Sequence, residues 1–206
     1  MFARRKFGKT DYRQRLALLK SRKARLVIRV GIRNANCQII EYNGSSDKTT
    51  VEVSSAHLKK YGWMGHGANA SACYLVGLLI GFKARQKGIN EAVLDIGLKT
   101  SIKNSNIYAI AFGAKDSGLK IPVGDVLPPK ERIEGKHIAS YAAKLKKEDK
   151  KKYERNFSQY IKNNLDPEKL PDYFNEAKNK IMNDFKDLAK IEVQHEEEGE
   201  KWVEVK

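Results

Sequence analysis

The sequence predicts an α/β fold, in which an antiparallel meander runs into a helix-strand-helix-strand unit and forms one mixed sheet. Three stretches carry this reading. Arg25 to Arg33 alternates with period two, as a half-buried strand does. Tyr74 to Phe82 is uncharged and apolar on nearly every side, which calls for a helix covered over most of its surface. Ala92-Val93-Leu94-Asp95-Ile96-Gly97 is short, mostly apolar and entered from that helix, as a buried parallel strand would be.

Taken in order, residues 1–21 read as a basic arm with an irregular start and one short helix. Thr10 is a possible cap, and Leu16, Ala17 and Leu19 form a short apolar patch. So little apolar content predicts an arm ordered mainly by what it binds. Residues 1–33 hold twelve Lys and Arg against the single acid Asp11, which puts +11 of the formal +15 there. Such a one-sided field draws polyanions, above all nucleic acid. Phe2, Phe7 and Tyr12 lie among these charges, so rings for stacking stand beside cations for phosphate. An acidic membrane is the rival partner, but the arm has few large apolar groups to insert. Arg4, Arg5 and Lys6 are not followed by an apolar stretch, so no secretory leader is expected.

Residues 22–124 are the expected α/β core. In its first strand Leu26, Ile28, Val30 and Ile32 should face the core, with Arg25, Val27, Arg29, Gly31 and Arg33 opposite. The three arginines recur every fourth residue, roughly 13 Å apart along a strand. Strands Cys37 to Tyr42 and Thr49 to Ser54 follow, joined through Asn43-Gly44-Ser45-Ser46-Asp47. The loop Lys59 to Gly67 holds three glycines, two aromatics, two lysines and His66, which suits a backbone approaching something closely. It lacks the Gly-Lys-Ser/Thr ending of a phosphate cradle. Asn69 or Ser71 can cap the apolar helix, and Gly88 can close it. Gly77 and Gly81 share one of its faces. Ile107, Ile110, Ala111 and Ala114 mark a second helix that ends at Gly118, and Leu119 to Pro122 should return to the sheet.

Residues 125–190 read as loop and amphipathic helices that dock on the core or on a partner. Their apolar stripes are Ile138, Tyr141, Ala142 and Leu145; then Tyr153, Phe157, Tyr160 and Ile161; then, after an Asp166-Pro167 start, Phe174, Ala177, Ile181, Phe185 and Leu188. Residues 191–206 are acidic and expected to be mobile. Cys37 and Cys73 lack metal spacing and read as buried free thiols of a reducing compartment. His57 and His66 do not make a zinc site. Neither a cofactor nor a metal is expected.

Meander, helix and parallel strands also outline a ribonuclease H-like nuclease. That chemistry gathers several carboxylates around two metal ions, one of them on the first strand. Here Arg29 stands on that strand, Asp95 alone lies on a central strand, and Glu91 and Asp116 are at element ends. No nucleophile-base arrangement replaces them. Catalysis is not expected.

Thr10 to Leu16, Tyr61-Gly62-Trp63, Ala92 to Leu98, Gly118 to Pro122 and Phe157 to Asn164 together resemble large-subunit ribosomal protein eighteen in the universal numbering. This is the 5S rRNA-binding family, and the length resembles its archaeal branch. The resemblance spans about Arg4 to Lys190 and leaves out the acidic end. It implies a non-catalytic α/β domain on 5S rRNA in the central protuberance of the cytoplasmic ribosome. It also implies contact with large-subunit rRNA and with the other 5S rRNA-binding protein. The candidate RNA-contacting residues are Arg4, Arg5, Lys6, Lys9, Tyr12, Arg13, Arg15, Lys20, Arg22, Lys23, Arg25, Arg29 and Arg33, with Lys59, Lys60, Tyr61, Trp63 and His66 in the loop. A free RNA-binding or chaperone-like module is the alternative, and a metal-dependent nuclease the remote one.

Overall fold

A computed structural model describes residues 3–186. Phe2, Leu188 and the acidic run from Glu192 therefore lie outside the described residues. The arm is more regular than its composition predicts. A single helical turn, α1 (Ala3–Lys6), precedes α2 (Tyr12–Lys20). Gly8, at φ +61°, closes the first turn, and the Lys9 amide donates to the Arg4 carbonyl at 2.8 Å. Asp11 rather than Thr10 caps α2, its carboxylate accepting from the Arg13 and Gln14 amides. The Thr10 hydroxyl is turned back to accept from Arg4 Nε at 3.0 Å.

Four strands follow in the spatial order β3-β2-β1-β4: β1 (Ala24–Val30), β2 (Ala35–Tyr42), β3 (Asp47–Ser54) and β4 (Ala92–Asp95). The first two pairings are antiparallel and β1 pairs with β4 in parallel, which makes the sheet mixed. Register aligns the apolar positions in rows. Ile28 pairs with Cys37, which pairs with Val53; Leu26 pairs with Ile39, which pairs with Val51. All six are buried on the same face.

The first strand is shorter than its pattern suggests. The Gly31 amide donates to the Asn34 carbonyl at 2.9 Å, so Gly31 to Asn34 form the tip of the β1-β2 hairpin. Ile32 is consequently 90% exposed instead of joining the core, and Arg33 stands beyond the sheet. At the other end of the core, Leu119 to Pro122 does not become a strand. It makes one parallel bridge, Glu91 to Lys120, and Pro122 then lacks the amide that a continuing ladder needs.

Helix α3 (Ala70–Gln86) crosses the apolar face of the sheet, with every residue from Ala70 to Phe82 buried. Asn69 caps it by accepting from the Ala72 amide at 2.8 Å, and Gly88, at φ +77°, follows its end. Helix α4 (Asn106–Asp116) lies against α3 at a distance set by glycines. A Cβ on Gly77 would fall on the Ile110 carbonyl, and one on Gly81 on the Ser117 hydroxyl. From the other side, a Cβ on Gly113 would fall on the Tyr74 carbonyl. The two backbones touch where side chains ordinarily intervene.

The remaining helices are α5 (Lys130–Glu134), α6 (Lys136–Glu148), α7 (Lys150–Asn156), α8 (Ser158–Lys162) and α9 (Leu170–Asp184). The Asp166-Pro167 start opens a short 3-10 turn, Pro167–Lys169, that leads into α9. Leu170, Phe174, Ala177 and Ile181 of α9 join the same core as the sheet. Phe185 stacks on Phe82 with centroids 5.2 Å apart, and Phe174 meets Tyr74 at 5.6 Å. The C-terminal helices thus dock on α3 and cover the side the sheet leaves open. Tyr141 and Ile161, expected on apolar stripes, are instead 50% and 42% exposed. Cys37 and Cys73 are buried and free, as their spacing suggested. Among the described residues no helix is long and apolar enough to cross a membrane.

Gly77→Ala should separate α3 from α4 and cost ~1–3 kcal/mol by overpacking. Gly124→Ala, where a Cβ meets open space, should be neutral. Thermal unfolding of the two variants beside the parent checks the assignment; equal stability of all three would contradict it.

Candidate nucleic-acid interface

The sheet face opposite α3 is where the arm lies. Arg4, Lys9, Gln14, Arg15 and Leu18 from the arm, with Arg25, Val27, Arg29 and Ile40 from the sheet, line a groove of about 780 Å³. Helix α2 completely buries none of its own residues, so apolar packing gives it little hold. Charge supplies a link. Arg15 pairs with Asp47 at 2.9 Å, Asp47 with Arg25 at 2.8 Å, Arg25 with Asp95 at 3.0 Å, and Asp95 with Arg29 at 3.3 Å. Five side chains of alternating sign therefore join the arm, the start of β3, β1 and the end of β4.

The three arginines predicted to share one open face meet three different environments. Arg25 is 3% exposed, and its guanidinium lies between Asp47 and Asp95, which withdraws it from any outside phosphate. Arg29 remains half exposed. It donates to the Ile28 carbonyl at 2.7 Å and the Asp95 carbonyl at 3.0 Å, and rests on Gly97. Arg33 is exposed at the hairpin tip. Strand alternation identified the face but not the two carboxylates that approach it from distant parts of the chain.

On the arm, Arg4, Arg5, Lys6, Lys9, Arg13, Lys20, Arg22 and Lys23 are exposed, while Tyr12 and Arg15 are half-buried. Lys23 pairs with Glu91 at 2.6 Å. Lys99, which the sequence reading passed over, lines the same groove from the loop after β4. Its signal was available, since it follows the predicted strand end by only two residues.

The loop departs most from expectation. Residues 55–61 form a 3-10 helix closed by Gly62 at φ +86°. Tyr61 and Trp63 are 6% and 2% exposed, so neither ring is open to a stacking base. Burial, then a hydrogen bond from its hydroxyl to Asp184, pushes the Tyr61 phenol up to about 12. Trp63 Nε1 donates to the His66 carbonyl at 3.4 Å, and the His66 amide donates to the Tyr160 hydroxyl at 3.1 Å. Close backbone approach does occur, but within the chain. A Cβ on Gly67 would lie 2.8 Å from the Arg33 carbonyl, and one on Gly65 would lie 3.0 Å from the Trp63 ring. Lys59 and Lys60 stay exposed; His66 is half-buried, its Nδ1 accepting from the Ala68 amide.

The acids considered for a nuclease are each held elsewhere. Asp95 serves Arg25 and Arg29, Glu91 serves Lys23, and Asp116 accepts from the Tyr74 hydroxyl at 2.7 Å. Burial, then Asp116, pushes the Tyr74 phenol well above its usual range. A basic arm over a sheet face whose Asp47 and Asp95 are engaged by arginines suits the binding of a polyanion. Residues 1–90 match the family model of ribosomal large subunit proteins 60S L5 and 50S L18, so this part of the chain is similar to that family. The match supports a large-subunit ribosomal protein, a family whose members serve translation as non-enzymatic parts of the ribosome. The match takes in the arm, β1 to β3 and α3, and ends before β4.

The ladder has a pH signature. Burial works to raise the Asp47 carboxyl, but hydrogen bonds and charge from Arg15 and Arg25 hold it below the usual carboxylate range. A lowered folded value means that its stabilisation is full above the unfolded value of ~3.9 and is lost as pH falls through the folded one. Melting temperatures taken from about pH 5 down to about pH 2 should therefore fall more steeply for the parent than for Asp47→Asn. Parallel curves would show that the pair adds nothing.

Proposed function

We propose that this protein binds 5S rRNA and helps anchor it in the central protuberance of the large subunit. The observation that carries the reading is the arm, in which a run of exposed Arg and Lys meets one acid, and that acid caps a helix. In this reading Arg4, Arg5, Lys6, Lys9, Arg13, Lys20 and Arg22 carry phosphate contacts. Arg29, Arg33, Lys59 and Lys60 are further exposed candidates, while Arg25, Tyr61 and Trp63 act from within. Residues 1–21 are the binding arm, 22–124 the scaffold and 125–190 its cover and a surface for neighbouring proteins. These include the other 5S rRNA-binding protein, and the archaeal branch belongs to the same proposal. Affinity comes from phosphates and selectivity from RNA shape, since the deep, narrow major groove of an A-form helix keeps side chains from its base edges.

A triple variant, Arg5→Gln, Arg13→Gln, Lys20→Gln, tests the arm without touching the ladder. Each lost phosphate contact should flatten the dependence of log K on log salt by about 0.7–0.9, so the slope should drop by roughly two to three. Lys59→Gln with Lys60→Gln should change it by two contacts or fewer, about 1.8 at most. Filter binding on purified 5S rRNA over a salt series measures both. An unchanged slope in the triple variant would remove the arm from the RNA surface.

A further inference from the structure

We propose that Asp47 and Asp95 are positioning residues for RNA binding: they fix α2 and the Arg29 guanidinium on the sheet face, so that RNA meets a preset basic edge. The inference rests on the 5S rRNA reading above and adds to it how the arm is held. Three observations support it. The chain Arg15-Asp47-Arg25-Asp95-Arg29 is continuous, with every link between 2.8 and 3.3 Å. Its centre is rigid, because Arg25 is almost fully buried and Asp95 7% exposed, and Asp95 Oδ1 also accepts from the Gly97 amide at 2.9 Å. Its outer end reaches a helix that has no completely buried residue and stands over an open groove.

Buried charge makes the link directional. An arginine held between two carboxylates cannot lose one without leaving charge uncompensated, so each acid is constrained to its place. Asp47 then offers Arg15 a fixed partner, and α2 is tethered by its side. A binding segment restrained in its bound geometry loses less conformational freedom on association.

Positioning and simple charge predict opposite signs. Removing a carboxylate beside a basic surface should strengthen attraction to RNA if charge alone matters. If Asp47 positions the arm, Asp47→Asn should bind 5S rRNA about five- to tenfold more weakly, because ordering must then occur on binding. Its salt slope should stay unchanged, since no phosphate contact is removed. Limited proteolysis of the RNA-free variant should cut within residues 12–20 faster than in the parent, and Asp47→Glu should restore both readouts. Asp125→Asn, which breaks an exposed pair with Lys103 away from the ladder, should leave affinity unchanged.

Equal or tighter binding by Asp47→Asn, with cleavage unchanged, overturns the inference. Should that variant fail to fold, Arg15→Gln cuts the same link from the exposed end. Faster arm cleavage with weaker binding at constant slope supports positioning. Unchanged cleavage with a slope lowered by about 0.7–0.9 overturns it and makes Arg15 a phosphate contact. Failure of the parent itself to bind 5S rRNA would refute the functional reading instead.

Discussion

The closest constraint in the molecule is the backbone contact between α3 and α4. Gly77, Gly81 and Gly113 remove the side chains that normally keep two helices apart, and each faces main chain or a serine of the other segment. Because α3 is apolar around its circumference, it must be covered on all sides. The sheet covers one side, α4 a second at glycine distance, and α5 and α9 the rest. The sheet's other face is left for the arm, and the position of the basic surface follows from how α3 is packed.

That other face is held by charge. Arg25 sits on the strand at the centre of the sheet, where a lone buried cation would be untenable, so Asp47 and Asp95 must converge on it. Their convergence has a chemical consequence. Asp95, expected on a central strand, stands instead at the end of the edge strand β4 and is already engaged by two guanidinium groups. The acids of this mixed α/β fold are spent on its own arginines, in keeping with the rule that chemistry resides in the site and not the fold.

Local signals in the sequence were the dependable ones. The uncharged run Tyr74 to Phe82, the Asn69 cap, Gly88 after the helix end and the spacing of Ile107, Ile110, Ala111 and Ala114 all depend on neighbours within a few residues. Gly77 and Gly81 announced a close contact, though not its partner. Signals that depended on distant residues were ambiguous. Alternation put Arg25 and Arg29 on one face but was blind to Asp95, about seventy residues on. It also ran through Ile32, because a hairpin tip and a strand end can share one pattern. Glycines and aromatics around Trp63 fitted a binding loop and an internal packing knot equally well, and only Tyr160, nearly a hundred residues later, separates the two.

The cover of α3 also bears on synthesis. The first 90 residues contain the whole apolar helix and three of the four strands, yet α4, α5 and α9 come later in the chain. A nascent chain that has exposed only the first 90 residues can cover α3 on its sheet side alone. Until residues near Phe185 emerge, the opposite side, Phe82 included, presents apolar surface to whatever is nearby. Intermediates of this kind aggregate readily, so the interval between translating Gln86 and translating Phe185 is when this chain most needs an escort.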